Sequence, residues 1–157
     1  MKRSITRSRG HRLHVAEPPS AYLHRPPLVT DASVVAAALF GEEHSDEAIA
    51  LLRGRTLHAP HLLDHEIGSV ALKKLRRESV AWATVADALR TYGQLAIERH
   101  AVNTEAVVAV ARRYEMTAYD AAYLVVAEQL NAPLATFDES LADAARVHLA
   151  SSDQVHE

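Results

Sequence analysis

The sequence predicts an α/β domain in which a short, central, parallel sheet is covered by helices on both faces. Short apolar segments alternate with longer segments of helical pattern, as in proteins built from parallel strands and crossover helices. No hairpin dipeptide such as Asn-Gly occurs in the chain, which argues against antiparallel pairing. The 157 residues are enough for one domain with its own core and too few for two domains of ordinary size.

Four strands and seven helices follow from this pattern. The predicted strands cover residues 28–30, 56–59, 100–102 and 134–136. The predicted helices cover residues 34–40, 45–54, 61–77, 79–97, 104–114, 119–130 and 139–146. The second helix has a suitable N-cap in Ser45 and a glycine, Gly54, at its end.

The helix over residues 119–130 is predicted to lie at the centre of the fold. Nearly every residue from Ala121 to Ala127 is apolar, and a helix without a polar face is normally buried. Asn131 and Pro133 then end this helix.

The composition fits a globular protein and limits the metal chemistry. Apolar residues make up 48% and charged residues 24% of the chain, the usual balance for a folded domain. Because cysteine is absent, any metal must be bound through oxygen or nitrogen. No apolar run approaches the roughly 18 residues that a membrane span needs, and residues 1–27 lack the apolar segment of a secretory signal. A cytoplasmic location is therefore expected.

The charge is distributed unevenly. Residues 1–27 carry six basic residues and one acidic residue, whereas the remainder carries 11 basic and 19 acidic residues. We therefore expect a basic N-terminal arm over residues 1–27, ended by Pro26 and Pro27, then one domain over residues 28–150 and a tail over residues 151–157. Such an arm is typical of a disordered terminus, of a segment that contacts nucleic acid or of a transit peptide.

Three acidic residues lie at the beginning of predicted helices. Asp31 and Asp138 follow the first and last predicted strands, and ligands of open α/β sheets bind outside the carboxyl ends of the strands. Asp120 lies in the first turn of the most apolar helix. Each of the three also fits the ordinary role of a helix cap, so none of them alone indicates a site.

Glu66 lies within the apolar stripe of its helix, between Leu62 and Val70. Burial of an unpaired carboxylate is costly, so this side chain needs a bound cation, a cleft or an ion pair. Lys73 and Lys74 could supply such a pair.

Together, the four acids predict a site for a hard divalent cation. Carboxylates that converge repel one another unless cations neutralise them, and clusters of oxygen ligands suit Mg²⁺ or Mn²⁺. These ions serve phosphoryl chemistry because they polarise the phosphate and activate water.

A histidine cluster offers a second metal-binding pattern. His61 and His65 have the i, i+4 spacing that can bind zinc on one helix face, and His58 lies close by in sequence. The order does not match His-Glu-x-x-His. Since the chain contains ten histidines, chance clustering is the favoured interpretation.

Four segments carry a resemblance to a known family. In chain order they are LVTDASV (28–34), EIGSVAL (66–72), YDAAYL (119–124) and LATFD (134–138). In this order they resemble the motifs of the PIN-domain ribonucleases, specifically the VapC-type toxins of toxin–antitoxin pairs, over residues 28 to about 147.

The resemblance implies a three-layer α/β/α domain and an endoribonuclease that cleaves single-stranded RNA. It assigns Mg²⁺, for which Mn²⁺ substitutes, to four catalytic ligands, and it assigns supporting hydrogen bonds to Ser33 and Thr136. The implied ligands are Asp31, Glu66, Asp120 and Asp138. It also implies a homodimer and a VapB-like antitoxin as partner. Ser69 departs from the pattern, because many relatives carry Asn at this position.

Two other functions fit parts of the pattern. A catalytically inactive PIN-like module would bind RNA or protein without cleavage. The second of these functions is phosphotransfer on Asp31. Phosphatases that use such an aspartate need a second Asp two residues later, where this chain has Ser33.

Overall fold

The computed structural model describes residues 25–77 and 80–152, which form four strands and seven helices. The strands are β1 (Pro27–Thr30), β2 (Thr56–Pro60), β3 (Ile97–His100) and β4 (Leu134–Ala135). The helices are α1 (Ala32–Phe40), α2 (Ser45–Leu52), α3 (Leu62–Arg77), α4 (Trp82–Gln94), α5 (Thr104–Tyr114), α6 (Ala118–Gln129) and α7 (Glu139–Ser152).

All strand pairs in the sheet are parallel, and the strand order is β3-β2-β1-β4. The chain moves outward from β1 through β2 to β3 and then returns to the opposite edge at β4. Right-handed crossovers place α1 to α4 on one face of such a sheet and α5 and α6 on the other. The predicted three-layer α/β/α fold is confirmed.

Helix α6 is the central helix, as predicted. It packs against β1, β2 and β4 as well as α5 and α7, and every residue from Ala121 to Ala127 is buried. Tyr123 and Val126 belong to the core around the sheet and α1, whereas Leu124 and Val125 belong to a second core with α5 and α7. Burial of this helix on two sides fixes its position relative to the sheet.

Strand β3 lies earlier in the chain than predicted. It covers Ile97–His100 instead of residues 100–102, and α4 ends at Gln94 instead of residue 97. The sequence from Glu98 to His100 is polar and contains no apolar run that would mark a strand. Backbone pairing with β2 and burial of Ile97 nevertheless hold it in the sheet, which is a case of tertiary context overriding sequence pattern.

Two helix ends also differ from the prediction. Ser45 is the first residue of α2 and not its N-cap, which is His44, while Gly54 has the expected positive φ of 74° beyond the helix end. Helix α7 continues to Ser152 instead of residue 146, because buried His148 and half-buried Leu149 keep packing against the domain.

The predicted arm lies outside the described residues except for its last three positions. The carbonyls of Arg25 and Pro26 accept hydrogen bonds from Thr56, and Pro27 is the first residue of β1. The predicted start of α4 at Ser79 and most of the predicted tail also lie outside them. Within residues 25–77 and 80–152, no helix has both the length and the apolar character that a membrane crossing requires.

Truncation of Leu124 to Ala should destabilise the domain by about 2–5 kcal/mol, because this fully buried side chain joins α6 to α5 and α7. Truncation of Val108, which is 56% exposed on α5, should change stability by less than about 0.5 kcal/mol. Urea unfolding at equilibrium measures both values. Equal effects of the two substitutions would contradict the central position of α6.

Candidate active site

Asp31 lies directly after β1 and caps α1. Its Oδ1 accepts hydrogen bonds from the backbone N–H groups of Ser33 and Val34, at 3.0 and 3.2 Å, and from the Ser33 hydroxyl at 2.6 Å. Its Oδ2 accepts a hydrogen bond from the Thr136 hydroxyl at 2.6 Å. The side chain is almost fully buried. The cap interpretation is therefore correct, and the cap residue also lies at the predicted edge of the sheet.

Ser33 and Thr136 connect the end of β1 to the end of β4. The Ser33 hydroxyl accepts a hydrogen bond from the N–H of Phe137 at 2.9 Å, and the Thr136 hydroxyl accepts one from the N–H of Asp138 at 2.9 Å. Each hydroxyl thus donates to Asp31 and accepts from the segment after β4. This arrangement places Asp138 beside Asp31, although 107 residues separate them in sequence.

Asp138 also caps a helix. Its Oδ1 accepts a hydrogen bond from the N–H of Leu141 in α7 at 2.8 Å, and the side chain is exposed. The free N–H groups of a helix N-terminus favour a negative charge at this position.

Glu66 lies on the inward side of α3, as its place in the apolar stripe predicted. Its neighbours Leu63 and Ile67 are fully buried, and Glu66 itself is half-buried. Its Oε2 accepts a short hydrogen bond from the Tyr123 hydroxyl on α6. Lys74, one of the two cations considered for an ion pair, lies 2.9 Å from Glu42.

Asp120 lies in the first turn of α6, next to the N-cap Thr117. The Thr117 hydroxyl donates to Asp120 Oδ2 at 2.6 Å and accepts from the Asp120 N–H at 3.1 Å. Tyr123 lies three residues further along α6, on the same side of the helix. The contact of Tyr123 with Glu66 therefore brings Asp120 toward α3.

Among the described residues, Glu66, Asp120 and Asp138 each accept a protein hydrogen bond through only one of their two carboxylate oxygens. Tyr123 contacts Oε2 of Glu66, Thr117 contacts Oδ2 of Asp120, and the N-terminus of α7 contacts Oδ1 of Asp138. Within the described part of the chain, no hydrogen bond is made to the other oxygen of these three side chains. One oxygen of each therefore remains for a cation or water.

The electrostatics show that Asp31, Glu66 and Asp120 lie close together. Burial raises the pKa of Glu66, and the negative charges of Asp31 and Asp120 raise it further, while the Tyr123 hydrogen bond opposes the rise. Burial also raises the pKa of Asp31, against hydrogen bonds from Ser33, Thr136 and the backbone of α1. Two buried carboxylates with raised pKa values in one cleft favour a bound cation.

The pKa of Tyr123 lies well above its usual range, because the side chain is buried and donates to Glu66. Its hydroxyl therefore stays protonated and remains a donor at physiological pH. Sequence reasoning missed this residue as part of the site. Its spacing of three residues from Asp120 is the signal that could have identified it.

The donor set fits magnesium bound partly through water. Among the described residues, no three of the four acids place their oxygens within 4.8 Å of one another. In octahedral coordination at about 2.1 Å, three direct ligands would lie within that distance. Mg²⁺ usually keeps several waters and is held by one or two carboxylates, and this separation suits that mode of binding.

The histidines considered as a second metal site, and Ser69, lie apart from the four acids or from one another. His61 directly precedes α3 and His65 lies in its first turn, and both are exposed, whereas His58 is buried in β2 and contacts His100. The Ser69 hydroxyl donates to the carbonyl of His65 at 2.9 Å. His58, His61 and His65 therefore do not form one group.

Comparisons with known proteins identify the family of this chain. The family model of the PIN domain matches residues 28–147. The chain is 37% identical over 116 residues to VapC ribonuclease Mb0985 of Mycobacterium bovis, a match that covers 74% of this chain and 89% of that protein. It is 31% identical over 121 residues to ribonuclease VapC3 of Pyrobaculum aerophilum, covering 74% of this chain and 92% of that protein.

A solved structure supports the fold independently. The crystal structure of PAE2754 from Pyrobaculum aerophilum matches with a TM-score of 0.62 at 24% identity, and the match covers 83% of this chain and 99% of that chain. This likeness concerns the fold alone.

The chain therefore belongs to the PIN-domain family. Within that family its curated relatives are VapC-type ribonucleases, so the resemblance drawn from the four sequence segments is confirmed.

Replacement of Glu66 by Gln should stabilise the metal-free protein at pH 8 by about 1 kcal/mol or less, since solvent screens a half-exposed carboxylate. The folded state holds the Glu66 proton more tightly than the unfolded chain, so ionisation lowers stability as the pH rises from the ordinary value of 4.5 through the raised pKa. The gain should therefore vanish below about pH 4.

Urea unfolding in EDTA at both pH values measures this difference. Replacement of exposed Glu43 by Gln is the matched control and should show no such gain. A loss of stability in the Glu66 variant at pH 8 would contradict a repulsive cleft.

Proposed function

We propose that this protein is a metal-dependent endoribonuclease that cleaves single-stranded RNA and serves as the toxin of a type II toxin–antitoxin pair. The observation that carries the proposal is the repulsion that Glu66 experiences from Asp31 and Asp120 at the carboxyl edge of the sheet. The Thr136 hydroxyl, which binds both Asp31 and the backbone N–H of Asp138, ties the fourth acid to the same edge. The names of the curated relatives, VapC ribonucleases, support the substrate class.

In this proposal Asp31, Glu66, Asp120 and Asp138 hold Mg²⁺, directly or through water, and Mn²⁺ substitutes for it. The bound ion polarises the scissile phosphate and lowers the pKa of water. The chain itself positions the carboxylates. Without a cation the acidic cleft would repel the phosphate backbone, so the same four side chains make RNA binding dependent on metal.

Each supporting side chain has a defined task in this proposal. Ser33 and Thr136 fix both oxygens of Asp31, so that its carboxylate keeps one orientation. Tyr123 fixes one oxygen of Glu66 and leaves the other toward the cleft. Hydrogen bonds of this kind around metal ligands usually affect metal affinity or activity 10- to 100-fold.

The partners follow from the same relationship. We propose a VapB-like antitoxin as the inhibitor and a homodimer as the assembly. The cytoplasmic location stays a prediction.

A PIN-like module that binds RNA or protein without cleavage is the second candidate. The spacing of the acids is compatible with this function as well, since no three of them within the described residues form a compact ligand group. Calorimetric titration with Mn²⁺ separates the two functions. The nuclease should bind Mn²⁺ and lose that binding when Glu66 is replaced by Gln, whereas the inactive module should show no such site.

Replacement of Asp31 or Asp120 by Asn should lower the rate of RNA cleavage by at least about 100-fold, the scale typical for loss of one electrostatic contact in a transition state. Asn is a good N-cap in place of Asp31, and α6 keeps its own N-cap, Thr117, so the fold should persist in both variants. Cleavage of a labelled single-stranded RNA in Mg²⁺ or Mn²⁺ measures the rate, and circular dichroism checks the fold.

Replacement of Asp87 by Asn is the matched control, because this exposed carboxylate on α4 pairs with Arg90 and lies outside the four-acid set. Its activity should equal that of the wild type. Full activity of both the Asp31 and Asp120 variants would overturn the proposed nuclease function.

Replacement of Thr136 by Val should lower cleavage about 10- to 100-fold, because it removes the donor to Asp31 and the acceptor for the Asp138 N–H. Replacement by Ser retains the hydroxyl and should restore most of the activity. Cleavage rates measured over a series of Mn²⁺ concentrations should show that the Val variant needs more metal for half-maximal activity. Equal activity of the Val and Ser variants would exclude this supporting role.

A further inference from the structure

A second group of polar side chains lies on the strand pair β2–β3. In the parallel register, His58 is the partner of Glu98, and Pro60 is the partner of His100. Side chains alternate between the faces of a strand, so His58, Glu98 and His100 share one face. Arg99 points to the opposite face, where it contacts Asp64 of α3.

The three side chains converge at their polar atoms. His58 Nδ1 lies 3.0 Å from His100 Nε2 and 3.6 Å from Glu98 Oε2, and His100 Nε2 lies 4.0 Å from Glu98 Oε1. Among the described residues, this is the only group of three His, Asp or Glu side chains with one ligand atom each within 4.8 Å. It shares no residue with the four acids.

These separations match those of a tetrahedral zinc site. Ligand atoms at about 2.0–2.1 Å from Zn²⁺ lie roughly 3.3 Å apart in a tetrahedron. Two imidazoles and one carboxylate with a fourth position for water form a ligand set that zinc accepts.

The burial of the group also suits a metal. His58 is 7% exposed, so the group is closed to solvent on its side. The side chain of Glu98 is 65% exposed, which leaves the group open to solvent on one side. Glu98 also supplies the negative charge that partly neutralises a divalent ion.

We propose that His58, Glu98 and His100 bind one divalent transition-metal ion, with Zn²⁺ as the best fit and a fourth position open to water. Imidazole ligands favour Zn²⁺, Cu²⁺ and Ni²⁺ over Mg²⁺, so this site and the acidic cleft select different metals. The ion would cross-link the edge strand β3 to β2, since β2 is the only strand paired with β3 in the described sheet.

A hydrogen-bonded histidine pair without metal is the competing interpretation. Two ring nitrogens 3.0 Å apart can share one proton. Metal binding must displace that proton, whereas a purely structural pair would not release it for zinc at micromolar concentration.

Calorimetric titration of the untagged full-length chain with Zn²⁺, in excess Mg²⁺, tests the proposal. The variants are Glu98→Gln and His100→Gln, and the matched control is His65→Gln, an exposed histidine outside the group. The wild type and the control should bind one more equivalent of Zn²⁺ than either variant, or bind it at least tenfold more tightly. Zn²⁺ should raise the midpoint of thermal unfolding of the wild type and the control more than that of the variants.

The replacement Glu66→Gln should leave this Zn²⁺ equivalent in place, which separates the site from the acidic cleft. Conversely, His100→Gln should retain Mg²⁺-dependent RNA cleavage in zinc-free buffer, so failure of one proposal does not imply failure of the other. Because Glu98 is exposed, its variant should fold normally even if the His100 variant does not. Absence of Zn²⁺ binding in the wild type, or equal binding in the wild type and the Glu98 variant, would overturn the proposed site.

Discussion

Asp31 accepts hydrogen bonds on both carboxylate oxygens, and these bonds hold the cleft together. One oxygen caps α1 and the other is bound by Thr136, while Ser33 and Thr136 in turn bind the backbone that follows β4. The sheet brings the ends of β1 and β4 side by side, but the backbone alone does not orient the side chains there. Asp31 orients them because it is hydrogen-bonded both to the start of α1 and to Thr136 after β4. The position of the Asp138 backbone depends on the same hydrogen bonds.

On the other side of the cleft, the positions of Asp120 and Glu66 depend on α6. Since this helix is buried on the side of the sheet and on the side of α5 and α7, it cannot shift without cost to both cores. Asp120 and Tyr123 therefore project from a rigid support. The hydrogen bond between Tyr123 and Glu66 also fixes α3 relative to α6. The packing of apolar residues in the two cores therefore holds the acids close together despite their repulsion.

Sequence reasoning found the elements whose signals are local. The apolar run of α6, the acids after β1 and β4 and the inward position of Glu66 could all be read from spacing and composition. The partner of Glu66 could not, because Tyr123 is 57 residues away and Lys73 and Lys74 were the nearer candidates. Strand β3 was misplaced because Glu98 and His100 are polar, and this error also hid their register with His58. Capping and site roles were treated as alternatives, although Asp31 and Asp138 perform the first and are placed for the second.

Strand β4 contains only Leu134 and Ala135 and pairs with β1 alone among the described strands. We expect such a short ladder to open at a lower free energy than the central strands, which amide exchange would measure. Ala135 belongs to the core around the sheet, and Leu134 packs against both cores, so opening of this junction would loosen the packing there and separate the backbone of Asp138 from Asp31. In the proposed nuclease, completeness of the acidic cleft would therefore depend on this last strand, and an inhibitor or substrate that contacts both segments would favour the closed form.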